Sequence, residues 1–555
     1  RIRSGDLATS GGNITVQAGG QADINHVVIE SNGGNIQIQG GDLTQHIHSG
    51  VYIHQGSRVD AGTGTVNIVG QSAGSSGVVI QDAVTLGGAS VTLSGQANFP
   101  GASGVALSGN GTTLTGSGPL NISGSQTGGN GVGILLDNAS ITRTGEVSLL
   151  GQAIASADAG VLLQGGQAYI DAGTAKASIT GRSGTGPGVK ISGDLPPAPG
   201  PTPSVIGGDV SITGGTTSGN TALHLERTQI KASGFLMLES KGGAMLIQSS
   251  EVSNSGSNMT TLSADAGSKI AIDSQSKLIT TVANAPILLI ADQMQLDGLV
   301  SAGTNAGITI RPHTLSRGIT IGGTDEANQL NLTQSELNNL QGKVVQVGFG
   351  GASGGIQVLG PVSLGTSTAP ATLSLGNKGS ITQATGGSLQ VATLMLNAAS
   401  VDLREQNNVQ SVSGKTSAGG FLFKSASDTG LQVGNVEANN YNGENTPSVW
   451  YPVEISVYMP GTSLTQTAGT LIEGGDILLQ GAGAPGTATL GDVKATTLTF
   501  NAWALVKLTG ATQFDSIQFP GGSIQTVGGA LNPGGFDRIL TSVPINVGSM
   551  QIDPV

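Results

Sequence analysis

The chain contains no cysteine, so neither a disulfide framework nor a zinc–thiolate centre can organise it. Aromatic residues make up 3% and charged residues 10% of the 555 positions, the latter less than half the share usual in a soluble domain. Positive charge is the scarcer kind. Lys+Arg is 22 against Asp+Glu 34, a formal net charge of -12. Without a cationic surplus to neutralise phosphates, nucleic acid is not an expected partner. No run of apolar residues reaches the ~18 needed for a transmembrane helix. Leu-, Glu- and Lys-rich helical patterns are nearly absent, which argues against an ordinary α/β enzyme. What the chain does have is 37% hydrophobic residues, rich in β-branched types. A core can therefore form despite the low charge, and disorder is not implied.

Glycine is the most conspicuous presence, at 92 residues. It lacks the every-third-residue period of collagen. Short strands joined by tight turns are the other use for so much glycine, and the sequence repeats in that way. Val66-Asn67-Ile68-Val69-Gly70-Gln71, Val91-Thr92-Leu93-Ser94-Gly95-Gln96, Leu120-Asn121-Ile122-Ser123-Gly124-Ser125 and Val147-Ser148-Leu149-Leu150-Gly151-Gln152 are versions of one hexad. Their starts at 66, 91, 120 and 147 are 25, 29 and 27 residues apart. Between them lie Gly77-Val78-Val79-Ile80, Gly104-Val105-Ala106-Leu107, Gly131-Val132-Gly133-Ile134 and Gly160-Val161-Leu162-Leu163.

Alternation of apolar and polar residues marks strands with one face buried. Three such strands per unit make one triangular coil. Stacked coils then pair each strand in parallel with its equivalents above and below. The expected fold is all-β: a parallel β-helix, or solenoid, with loop insertions. One coil cannot bury enough to offset the entropy of ordering it, so neighbours must supply the rest. Outward positions are mostly Thr, Ser, Asn and Gln, which avoids stacking like charges one strand apart. No glycine–aspartate nonapeptide is present, so no calcium or other cofactor is called for. The opening strand Gly11-Gly12-Asn13-Ile14-Thr15-Val16 and the absence of an initial Met suggest a piece of a longer product.

Two segments break the pattern. Asp194 to Pro203 contains five prolines, cannot be a central strand, and reads as a loop leaving a coil corner. Asn439 to Pro447 reads as a polar loop. After it, Val449, Tyr451, Val453, Ile455 and Val457 alternate on one face and Trp450, Glu454 and Tyr458 on the other, with Pro452 making the strand irregular. The expected divisions are 1–302 (coils with the 194–203 loop), 303–437, and 438–555 (insertion and further β-rich coils).

Within 303–437, Gly307-Ile308-Thr309-Ile310, Gly318-Ile319-Thr320-Ile321-Gly322-Gly323, Val344-Val345-Gln346-Val347-Gly348, Gly379-Ser380-Ile381-Thr382-Gln383 and Ala398-Ala399-Ser400-Val401-Asp402-Leu403 resemble repeats of bacterial filamentous haemagglutinin-type exoproteins. The stretch from Leu332 to Leu340, with Thr333 and Glu336 spaced as a capping box, is expected to form a short helix near 332–341. The resemblance implies a right-handed parallel β-helix. It also implies a secreted or surface-held protein, often an adhesin, exported through an outer-membrane transporter.

Several residue groups invite a chemical role. His46, His48 and His54 make up half of the six histidines. If Ile47, Val51 and Ile53 point inward, all three face outward with Tyr52, where His-x-His can bind a metal. The plainer reading is a polar outer face. Asp82 and Asp137 fall at similar places two units apart, ~10 Å at strand spacing, at or beyond the limit for an inverting glycosidase pair. His224, Glu226 and Arg227 read as a salt-bridged group. No catalytic residue is assigned. Tyr441, Trp450, Tyr451 and Tyr458 are four of the seven Trp+Tyr residues. They form either a packed cap under the polar loop or a surface that stacks on a sugar or anchors a partner. Asn-x-Ser/Thr at Asn13, Asn110, Asn121, Asn138, Asn258 and Asn331 is a weak glycosylation signal in so Asn- and Ser-rich a chain.

Together these features suggest a secreted or cell-surface adhesin. It would bind a host or neighbouring cell, matrix or glycan through many weak contacts. A filament, sheath or surface-layer subunit associating end to end is the structural alternative. A polysaccharide-active β-helix enzyme is the third.

Overall fold

The computed structural model describes residues 2–44, 47–155, 158–194, 202–324, 328–364, 372–441, 447–483, 486–519, 523–526 and 531–541. The chain forms two compact units, Arg1–Ala306 and Gly307–Val555. Both are built from short, parallel-paired strands, and the protein is a parallel β-helix. Among the described residues the one α-helix is Gln334–Asn338. No helix there is long and apolar enough to cross a membrane.

In the first unit a coil contributes three strands, except that in the coil of Ile14–Gln17 the second and third run on as one, Ala22–Glu30. The hexads recognised in the sequence form the first strand, and their starts pair in a continuous column. Val66, Val91, Leu120, Val147, Ala177 and Val210 sit one above another. The second strands stack Val78, Val105, Ile134, Val161 and Val189. The third stack Leu86, Leu114, Ile141, Ile170 and Val205. All the residues of these three columns are buried. The core is thus a set of apolar ladders, each member packing on its equivalents one strand spacing away.

The glycine of the hexad does a different job from the turn role expected for it. Gly70, Gly95, Gly124, Gly151, Gly181 and Gly214 lie within strands and form a column of their own. They stand where the end of the first strand passes the start of the second, at the neck of a corner loop. A Cβ on any of them would fall under 3.0 Å from a backbone carbonyl oxygen: that of Gly77, Gly104, Gly133, Gly160, Gly188 or Ala222 respectively. Only glycine allows the two backbones to come so close. Beyond three of these necks a buried polar side chain ties down the loop. Ser72 Oγ donates to the His48 carbonyl at 2.7 Å, Gln126 Nε2 to Phe99 at 3.1 Å and Ser183 Oγ to Asp158 at 2.6 Å.

One cation lies inside the coil stack. Arg143 is 1% exposed. Its guanidinium donates to the carbonyls of Gly118 (2.9 Å), Thr115 (2.6 Å) and Gly88 (2.9 Å), clipping its own coil to the two before it. Burial holds its pKa below the ordinary arginine value. The proline-rich segment falls mostly outside the described residues. Its flanking strands, Val189–Ser192 and Ser204–Gly207, are successive strands of one coil.

The second unit has the same parallel logic with a heavier core. Val401, Phe421, Val453, Ile477 and Leu498 form one column; Leu403, Phe423, Ile455, Leu479 and Phe500 form the next. Trp503 is 2% exposed and its Nε1 donates to the Leu479 carbonyl at 2.8 Å. The helix carries the expected capping box. Glu336 N donates to Thr333 Oγ1 at 3.3 Å, and Thr333 N donates to Glu336 Oε2 at 2.8 Å. Within the segment read as a polar loop, Asn439–Tyr441 is strand and pairs antiparallel with Pro447–Trp450. The hairpin is an excursion from the coil, and Pro452 lies between its return strand and the next one, Val453–Val457.

Candidate functional site

The aromatic group centres on this hairpin. Strand pairing aligns Lys415, Glu437, Glu473 and Lys494 in one column on an outward face. Such a column would be solvated on an ordinary coil. Here Asn439 and Trp450, opposite each other in the hairpin, come down beside it. Glu473 is only 2% exposed and Asn439 1%. Lys494 Nζ donates to Glu473 Oε1 at 3.0 Å, and Asn439 Nδ2 donates to Glu473 Oε2 at 2.8 Å. The Lys494 ammonium lies 4.8 Å from the centre of the Trp450 ring, within cation–π range. Asn439 Oδ1 is buried and accepts no hydrogen bond. Lys415 Nζ meets Glu437 Oε2 at 2.9 Å farther along the column.

The other aromatic residues are placed differently. Tyr441 is in the outgoing hairpin strand. Tyr451 is partly buried, and its backbone bridges Ala438 and Gly475. Val449 does not join the buried alternation of Val453, Ile455 and Val457; it is 44% exposed. Tyr458 is 51% exposed, with Lys424 Nζ 4.2 Å from its ring centre. Trp450 is thus engaged with its own chain, whereas Tyr458 presents a phenol to solvent.

The histidines do not share one outward face. His46 lies outside the described residues. His48 is exposed, and Ile47, expected inward, is 76% exposed because it sits in a corner loop rather than a strand. Val51 and Ile53 are buried as expected, but so is His54. Its Nε2 lies 3.0 Å from Asp23 Oδ1 of the preceding coil, and its ring stacks on Tyr52 at 4.0 Å and 9°. Tyr52 OH accepts from Gln81 Nε2 at 2.9 Å. Burial, then the charges of Asp82 and Asp23, push the Tyr52 pKa up. Among the described residues no three His, Asp or Glu side chains gather as a metal cluster.

Asp82 and Asp137 are not equivalent positions. Both Gln81 and Asp137 pair with Ser108, so Asp82 falls one residue later, on the corner. There the backbone is left-handed, as at Asn138, its true counterpart. Asp137 accepts from Gln164 and Asn138 side chains at 3.1 and 3.0 Å. In the third group Arg227 pairs with Glu226 at 2.7 Å and His224 Nε2 meets Gln248 Oε1 at 2.8 Å.

A feature absent from the sequence reading is an open groove of about 420 Å³ in the first unit. Its floor is Gly215, which stands in an outward column between Arg182 and Lys241. The missing side chain leaves a notch with a cation on either side, and Thr180, Thr213 and Thr217 supply hydroxyls along it. Lys241 is also 3.2 Å from Glu239. Its signal in the sequence is the second glycine of Gly214-Gly215, legible only once the register is known.

Comparison of the chain with protein-family models, curated proteins and solved structures gives no match. The site must therefore be read from its own chemistry.

Proposed function

We propose that the chain is a bacterial adhesin of the secreted or surface-held kind, binding glycan or matrix polymers along the outward faces of its coils. The observation that carries this reading is one outward row of the first unit. Thr15, Gln37, Asn67, Thr92, Asn121, Ser148, Ser178 and Ser211 follow one another in unbroken register. These are eight uncharged hydroxyl and amide side chains at ~4.8 Å intervals. A repeating row of donors and acceptors suits a repeating polymer, since many weak contacts engaged together give avidity. The notch at Gly215 offers an acidic group two cations, and Tyr458 offers a ring face. The resemblance of 303–437 to haemagglutinin-type repeats supports the same reading and implies export through an outer-membrane transporter.

The test is binding of the purified chain to immobilised polysaccharides and matrix proteins, with ligand length varied. Affinity should rise steeply from oligomer to polymer. A variant carrying Thr92→Ala, Asn121→Ala and Ser148→Ala should lose most of that rise while keeping its β-sheet circular dichroism. Tyr458→Ala should weaken binding separately. Equal affinity for short and long ligands, or no binding to any surface, would overturn the proposal.

A further inference from the structure

We propose that Lys494 and Asn439 become joined by an intramolecular isopeptide bond, with Glu473 as the catalytic proton carrier. The reacting groups are already assembled. A nearly buried carboxylate holds the Lys494 amine on one oxygen at 3.0 Å and the Asn439 carboxamide on the other at 2.8 Å. Two side chains bonded to the two oxygens of one carboxyl group are necessarily near neighbours. The Trp450 ring stands 4.8 Å from the amine, whose side chain remains 35% exposed.

The carboxamide is the second observation. Asn439 is 1% exposed, yet its Oδ1 accepts no hydrogen bond. A buried acceptor without a donor is costly, and natural structures rarely keep one without a reason. Once protonated, Glu473 places an O–H donor beside this carboxamide as its oxygen gains negative charge during attack.

The step balances without any co-reactant. The Lys494 ammonium passes one proton to Glu473 along their hydrogen bond. The freed lone pair forms a bond to Asn439 Cγ, giving a tetrahedral centre. One of the two remaining amine hydrogens is transferred through Glu473 to the carboxamide nitrogen. The Cγ–Nδ2 bond then breaks, and ammonia leaves. The proton first taken from the ammonium departs with it as ammonium ion, and Glu473 ends as the carboxylate it was. No group is oxidised or reduced. Proximity is the main contribution, since an amine and an amide do not condense at useful rates unless held together.

The product would tie the base of the hairpin to the coil that carries Lys494. This goes beyond the adhesin reading and does not depend on it. The experiment is intact-mass measurement of the purified full chain, followed by tandem mass spectrometry of its digest. The expected mass is one ammonia below the sequence value, with a branched peptide joining the segments that contain Asn439 and Lys494. Glu473→Gln and Lys494→Arg should each restore the full mass and abolish the branched peptide. A wild-type chain at full mass, with Lys494 in a linear peptide, would overturn the proposal. So would an ammonia loss without the branched peptide, since ring closure at another asparagine gives the same mass. The wild-type result decides the matter even if a variant fails to fold.

Discussion

Gly214→Ala and Gly215→Ala change neighbouring residues of one strand, yet opposite effects are expected. Neither glycine has a left-handed backbone, so alanine is conformationally acceptable at both. On Gly215 an added Cβ would meet nothing nearer than Arg182 Cγ at 3.6 Å, an ordinary contact. On Gly214 it would come under 3.0 Å from the carbonyl oxygen of Ala222, which is backbone and cannot swing aside. Loss of unfolded-state freedom favours both variants by ~0.4–1 kcal/mol. Overpacking costs the Gly214 variant alone ~1–3 kcal/mol. The entropic gain cancels in the comparison, so the two variants should differ by ~1–3 kcal/mol, Gly215→Ala being the more stable. A solenoid need not unfold in one step, so a single melting temperature is a poor reporter. Native-state hydrogen exchange over Val210–Thr216 and its partner Leu236–Lys241 reads the local opening directly. Amides there should exchange about 5- to 150-fold faster in Gly214→Ala than in Gly215→Ala. Equal exchange in the two variants would refute the claim that a backbone crossing, rather than turn geometry, fixes the glycine column.

Two further outcomes follow from a buried and a half-buried charge. Arg143→Met leaves the Gly88, Thr115 and Gly118 carbonyls without their guanidinium donor, so limited proteolysis around coils 88–143 should quicken by an amount equivalent to ~2 kcal/mol or more. Arg143→Lys should recover only part of this, because an ammonium cannot reproduce the spread of a planar fork; full recovery would show that charge alone matters. At Asp60 burial raises the carboxyl pKa, but the Arg58 hydrogen bond, the Gly62 N–H and the Arg58 charge outweigh it, so the net shift is downward. A depressed folded-state pKa adds stability that is present above the unfolded value and lost as pH falls through the folded one. The stability difference between wild type and Asp60→Asn should therefore be flat above ~pH 5 and shrink below ~pH 4, being small throughout because the partner Arg58 is half exposed and solvent screens the pair. A difference that does not change with pH would refute the assignment.

Much of the coil architecture was legible because it depends on local periodicity. Val66, Val91, Leu120 and Val147 were visible as equivalent strand starts and stack as such. The capping box at Thr333 and Glu336 was legible for the same reason, since both partners lie within one turn. The hexad glycine is visible in the sequence, but the reason for it is not. Its φ is ordinary, and the constraint comes from a second strand some seven to ten residues farther on, as between Gly95 and Gly104. Sequence spacing matches Asp82 with Asp137 instead of Asn138 because a one-residue corner offset leaves no mark in the spacing of apolar residues.

The candidate sites failed to show for a more general reason. Alternation decides which side chains point into a coil, but it says nothing of what covers those that point out. His54 and Glu473 are both outward by alternation, and both are buried. His54 is closed off by Tyr52 beside it and Asp23 one coil earlier; Glu473 is closed off by a hairpin that leaves the column at Glu437 and returns at Trp450. In a solenoid the inward side is filled by the repeat itself and has little room for chemistry. A polar group acquires a dry, unusual setting mainly where an irregular segment is laid back over an outward face. The Glu473 centre meets that condition, with an amine and a carboxamide on the two oxygens of one buried carboxylate, and it sits where the repeat is interrupted. Interruptions of the period, rather than the periodic coils, are therefore where the reactive chemistry of this chain should be sought.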